Sequence, residues 1–163
     1  MVPKWAQAAA KARKPRPERS LSLYNLHTGE SVKATYWADG KYLSSEMRSI
    51  WRVMRDHRTD ETHPIDPEVF DLLFALQRKL RTSQPFQIVS GYRSPVTNAM
   101  LAEQSDGVAN HSLHMVGKAV DVRIQGQAVR TIGRAALQLK QGGVGMYPRS
   151  NFVHVDVGPV RRW

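Results

Sequence analysis

Two short segments late in the chain constrain its fold more than any other feature: KAVDVRI, residues 118–124, and FVHVDV, residues 152–157. Both alternate between apolar and polar residues, and the side chains of a strand point to opposite faces with a period of two. Val120, Val122 and Ile124 therefore share one face of the first segment, and Val153, Val155 and Val157 one face of the second. Ala119, Asp121 and Arg123 lie opposite the first set, and Phe152, His154 and Asp156 opposite the second. Such a chain must build a sheet that rests one face on a hydrophobic core and leaves the other to polar chemistry.

At 163 residues with 41% hydrophobic side chains, there is material for one core and one domain. The chain has no cysteine, which excludes disulfide scaffolds, thiolate metal clusters and cysteine nucleophiles, so any metal must sit on His, Asp or Glu. Its apolar runs fall far short of the roughly 20 residues of a membrane helix, and no transmembrane segment is expected. Half of the net charge of +10 lies in the first twenty residues, where Lys4, Lys11, Arg13, Lys14, Arg16 and Arg19 face only Glu18. Residues 1–18, with their alanine run, prolines and cations, are expected to be a disordered basic tail or the remnant of an export signal. Residues 19–163 then form the single folded domain. Its cations are not clustered with interleaved aromatics, so a nucleic-acid partner is not expected, whereas an anionic polymer suits the charge.

The domain opens with LSLYNLH from Leu21, a turn at Thr28-Gly29-Glu30, VKATYW and a second turn at Asp39-Gly40, which predicts paired strands. Met47, Ile50, Trp51 and Met54 recur at helical spacing and predict an amphipathic helix over 45–57. Asp66-Pro67-Glu68 supplies a cap, a first-turn proline and a first-turn acid for a helix buried through Val69, Leu72, Leu73, Leu76 and Leu80. FQIVS (86–90) predicts a short strand, Ser94-Pro95 a helix to about Gln104, residues 105–117 a loop, and QAVRTIGRAALQLKQ a helix stopped at Gly142-Gly143. The expected class is α+β, with helices packed on a small, mainly antiparallel sheet.

Each late strand thus carries a metal-capable group on its polar face. His114 stands shortly before the first, with Gly117 allowing a bend, and completes the set His114, Asp121 and His154. Two imidazoles, one carboxylate and an open position are the ligands of a catalytic zinc. Of the six histidines, His111, His114 and His154 fall in two short segments, while His27, His57 and His63 have no such setting and are expected to be surface or structural residues.

SLHMVGKAVD fits the S-x-H-x-x-G-x-A-x-D signature of the LAS group of zinc peptidases, which includes D-Ala-D-Ala carboxypeptidases and dipeptidases. With SLYNLHTGES, SGYRSPVTN and GGVGMYPRSNFVHVDVGPVRRW, the chain over 19–163 resembles the MepK (YcbK-like) family of murein endopeptidases in that group. The resemblance implies a D-Ala-D-Ala peptidase-like (hedgehog-like) fold, one zinc per chain on His114, Asp121 and His154, and a periplasmic enzyme, expected to be a monomer, that cuts peptide cross-links of diaminopimelate-containing peptidoglycan. It also implies that Arg93, in SGYRS, holds the substrate carbonyl or its oxyanion, a role that suits a fixed guanidinium just past a strand end. Ser112 is a candidate for a hydrogen bond to substrate or to a ligand's outer partner.

The general base is where the pattern stops. Several LAS enzymes place a Glu or Asp three residues before the last ligand, or a His two before it, where this chain has Asn151 and Phe152. Asp156, on the face of His154 and about 7 Å along the strand, is the nearest carboxylate that could take the proton. His111 as base, or Asp156 as a partner that orients His154, are the alternatives. Two other activities fit the same residues: a D-Ala carboxypeptidase, and a non-catalytic wall-binding module with a structural zinc.

Overall fold

The computed structural model describes residues 17–105, 108–109 and 111–163; most of the expected tail, residues 1–16, lies outside the described residues. Strand β1 (Arg19–Asn25) turns back through Thr28-Gly29 into β2 (Ser31–Ala38), and a tight turn at Asp39-Gly40 adds the two-residue β3 (Lys41–Tyr42). Helices α1 (Ser44–Val53) and α2 (Pro67–Leu80) then carry the chain across the sheet to β4 (Phe86–Ser90), which lies parallel to β1. After α3 (Pro95–Gln104), a 3-10 turn (Leu113–Val116) leads into β5 (Ala119–Ile124), and α4 (Val129–Leu139) is followed by β6 (Gly143–Tyr147), β7 (Phe152–Asp156) and β8 (Arg161–Arg162).

The result is an eight-stranded sheet in the order β3-β2-β1-β4-β5-β7-β6-β8. The α+β class holds, but the sheet is mixed rather than small and mainly antiparallel: β1 pairs with β4, and β6 with β8, in parallel. The first parallel pair follows from connectivity: two antiparallel steps leave β3 running in the direction of β1, and the crossover through α1 and α2 returns the chain in that same direction on the far side of β1.

Helix α2 begins where its cap chemistry requires, with the Asp66 carboxylate accepting from the Glu68 N–H at 3.0 Å and Pro67 at the first helical position. Helix α1 stops at Val53 rather than 57, because the Met54 carbonyl accepts from the Tyr92 N–H at 2.7 Å instead of continuing the helical ladder. The core-facing residues of β1, β4, β5 and β7 meet α1, α2 and α4, and Leu21, Leu23, Phe70, Leu73, Leu76, Ile88, Val120, Val122, Val153 and Val155 are all buried there. Each such side chain contributes about 1.5–3 kcal/mol when taken out of water. The alternation of valines thus sets β5 and β7 with their polar face turned away from the core. No helix among the described residues is long and apolar enough to cross a membrane.

Candidate metal centre

Strands β5 and β7 are antiparallel neighbours in which Asp121 stands directly opposite His154. The third group arrives from the 3-10 turn. Ser112 caps that turn, its hydroxyl accepting from the His114 N–H at 3.3 Å, and Gly117 ends it in the left-handed region at φ +67°. A side chain at Gly117 would meet the Pro64 carbonyl oxygen at 2.2 Å, so only glycine lets the turn pass there into β5. In this way His114 is swung over the sheet and buried beside Asp121 and His154.

The donor atoms converge. His114 Nε2 lies 3.2 Å from His154 Nδ1 and 3.2 Å from Asp121 Oδ1, and His154 Nδ1 lies 2.9 Å from Asp121 Oδ1. The outer nitrogens fix the tautomers: His114 Nδ1 donates to the Gly91 carbonyl at 2.7 Å, and His154 Nε2 faces Asp156 Oδ2 at 3.0 Å. With one nitrogen of each ring directed outward, the other turns toward the Asp121 oxygen, so two imidazole nitrogens and a carboxylate oxygen meet at one point. Such a set suits a cation, which neutral rings would meet with two lone pairs. Three ligands at tetrahedral zinc distances would stand about 3.3 Å apart, close to what is found.

The surrounding charges agree. Burial works against ionisation of Asp121, yet His114 and His154 hold it well below the usual carboxylate range. Burial likewise opposes a charge on His154, but hydrogen bonds to Asp121 and Asp156 raise it to about 8, so the field of the site favours positive charge.

Asp156 is completely buried and takes five donors. Oδ1 accepts from the Gly143 and Gly158 N–H groups at 3.0 and 2.9 Å and from Arg161 Nη1 at 3.0 Å, while Oδ2 accepts from Arg161 Nη2 at 2.7 Å and faces His154 Nε2. These partners outweigh burial and keep it well below the ordinary carboxylate range. It therefore stands on the side of His154 opposite the converging lone pairs.

Arg93 enters from the loop after β4, its N–H donating to the His114 carbonyl at 3.2 Å. Its guanidinium is largely buried, with Nη2 3.7 Å from Asp121 Oδ2 and Nη1 donating to Asn98 Oδ1 at 3.4 Å, and its Nε lacks a partner among the described residues. Arg93, His111, Ser112, His114, Asp121 and His154 all line one cleft of about 530 Å³. Asp156 does not line it.

Arg161, Trp163 and Tyr147 also line this cleft, and they were not singled out from the sequence. They hang on β6 and β8, and GVGMY and RR carry no apolar alternation that marks a strand; the pair of cations and the tryptophan in VRRW were the available signal. The three remaining histidines lie apart from the cleft lining: His27 stacks on His57 at 3.7 Å and His63 on Tyr92 at 4.6 Å.

A family model described as peptidoglycan L,D-endopeptidase MepK matches residues 11–163. The Escherichia coli (strain K12) protein named peptidoglycan L,D-endopeptidase MepK is 49% identical over 149 residues, covering 91% of this chain and 81% of that protein. A Haemophilus influenzae protein named probable peptidoglycan L,D-endopeptidase MepK is 40% identical over 150 residues, 91% of this chain and 80% of its own length. No solved structure matches the chain.

Proposed function

From its membership in the peptidoglycan L,D-endopeptidase MepK family, to which the chain belongs, we propose a zinc-dependent reaction at the cleft floor that opens peptide cross-links of diaminopimelate-containing peptidoglycan. The protein is a peptidoglycan endopeptidase of a metallopeptidase family. The observation that carries the zinc reading is the convergence of His114 Nε2, His154 Nδ1 and Asp121 Oδ1 at the mutual distances of a metal's ligands. An L,D bond joins the carboxyl of an L-centre to the amine of a D-centre. The direct diaminopimelate to diaminopimelate link is of that kind, whereas the D-Ala to diaminopimelate link joins two D-centres, so the first is the proposed target. Such a substrate places the enzyme outside the cytoplasm, in a periplasm, and the fold proposed is that of the LAS group.

Zinc, when bound, supplies Lewis acidity that eases loss of a proton from water and polarises a carbonyl. The chain's own groups do the rest. Arg93 is held beside Asp121 and lines the cleft, and the proposed role of its guanidinium is to hold the carbonyl oxygen as that atom gains charge. Asp156 is proposed as a positioning residue that fixes the ring of His154 through Nε2, because its oxygens are fully engaged and turned from the cleft. The proton acceptor is then His111: among the described residues lining the cleft, it is the one imidazole outside the ligand set. A nitrogen of His111 takes the proton of the attacking water and returns it to the leaving amine. Ser112 is proposed to serve mainly through its cap on the turn that carries His114.

Digestion of purified sacculi by the zinc-loaded protein, with a chelator control and identification of the released muropeptides, tests the reading. Monomers released from directly linked diaminopimelate dimers are expected. Trimming of terminal D-alanine alone would identify a carboxypeptidase, and metal without hydrolysis a binding module.

A further inference from the structure

One wall of the cleft is aromatic, and the reaction as derived makes no use of it. The Trp163 ring lies 5.2 Å from the His154 ring, and its indole N–H donates to the Tyr147 hydroxyl at 2.6 Å. Tyr147 in turn stacks on Phe152, its cross-strand partner, at 4.5 Å. The backbone holds Trp163 on both sides, its N–H donating to the Val144 carbonyl and its own carbonyl accepting from the Met146 N–H, each at 3.2 Å. Gly145 makes the seat, since a side chain there would stand 2.6 Å from the indole. The residue is thus held at four points, yet it is 49% exposed. The Arg161 guanidinium lies over the ring at 5.0 Å from its centroid, and the aromatic surface that stays exposed in the polar cleft is suited to covering hydrocarbon on a ligand.

Distance decides which hydrocarbon. A shelf that begins at a metal-ligating ring can touch only the residue adjoining the reacting amide, because a sugar at the far end of a stem peptide is several residues away at about 3.3 Å each. We propose that Trp163, with Tyr147 and Phe152, forms a specificity subsite that packs the methylene stem of the diamino acid flanking the scissile bond. The shelf selects a long-stemmed residue at that position over a short one. This inference rests on the endopeptidase reading above.

The test compares a directly linked diaminopimelate dimer with analogues carrying alanine on one side of the bond and then on the other. For the zinc-loaded protein, kcat/KM is expected to fall about tenfold or more for one of the two analogues, mainly through KM. Trp163→Ala should bring that ratio close to one, and Trp163→Phe should keep most of it. Calorimetric dissociation constants of the same peptides on chelator-treated protein should show the same ratios without turnover, so a failure of hydrolysis would count against the endopeptidase reading alone. Equal kinetics and affinity for all three peptides in the unaltered protein, or a preference that survives Trp163→Ala, would overturn the proposal. Loss of zinc in both variants would overturn it as well, by showing that the ring merely supports His154.

Discussion

The Arg161 guanidinium grips the buried Asp156 carboxylate through both terminal nitrogens, at 3.0 and 2.7 Å, and that carboxylate faces the outer nitrogen of His154 at 3.0 Å. A residue on the last strand thereby fixes the orientation of a proposed metal ligand. Asp156→Asn keeps the size of the side chain but weakens its hold on His154 Nε2, so zinc affinity should fall about 10- to 100-fold, with turnover partly recovered at saturating zinc. A fall in turnover of about 10² to 10⁴ with zinc still tightly bound would mark Asp156 as the base instead. Arg161→Ala removes two of the five donors from the buried Asp156 carboxylate and should destabilise the fold by about 1–3 kcal/mol, measured by urea unfolding, with Arg161→Lys recovering part of it.

The three converging ligands predict one zinc per chain. His114→Ala, Asp121→Ala and His154→Ala should each abolish hydrolysis, and the triple variant should carry no stoichiometric zinc by elemental analysis. Chelation should silence the unaltered protein and added zinc restore it. Stoichiometric zinc in the triple variant would place the metal elsewhere.

Arg93 and His111 separate by what they leave intact. Arg93→Ala should lower kcat about 10²- to 10³-fold while zinc content stays at one per chain. His111→Ala should lower turnover about 10²- to 10⁴-fold while zinc content stays at one per chain. If His111→Ala retains full activity, the proton goes to another group.

The domain boundary has its own test. Arg19 Nη1 donates to Asp71 Oδ1 at 2.7 Å, the Tyr36 and Tyr42 hydroxyls donate to the same carboxylate, and the guanidinium lies 4.5 Å from the Trp37 ring. Removing residues 1–16 should leave Tm and hydrolysis nearly unchanged. Arg19→Ala should cost about 1 kcal/mol, and a large loss from the deletion alone would put the boundary further toward the start of the chain.

Stability at mildly acidic pH should depend on His57. Burial first, then the neighbouring His27 stacked on it at 3.7 Å and Arg58, push its imidazole down to about 4, with Asp56 opposing. Because the folded value lies below the unfolded value of about 6.5, the unfolded chain binds the extra proton between them. The contribution is complete above about 6.5 and is lost as pH falls toward 4. Urea unfolding at pH 7 and pH 4.5 should show a smaller difference for His57→Gln than for the unaltered protein.

Particular residues show what the sequence made legible. The valines of β5 and β7 announced their faces because a period of two survives any tertiary context, and with them came Asp121 and His154 on the polar faces, though the pairing of the two strands is read only from the structure. Asp66-Pro67-Glu68 announced α2 because capping is local chemistry. What escaped was set by distant partners. Gly143, Gly145 and Arg161 form strands only because β7 and β6 offer edges to pair with, and glycine and arginine have no strand preference of their own. The part proposed for Asp156 was equally hidden, since its spacing from His154 is the same for a base as for a buttress. Only burial and the grip of Arg161 distinguish them.

The cross-strand pairing of Asp121 with His154 ties the proposed zinc site to strand register. A slip of one residue in β7 against β5 would turn His154 into the hydrophobic layer and bring a valine to the cleft in its place. The three-residue set therefore assembles only on molecules whose central strands have paired correctly, so a titration for metal is also a titration for register.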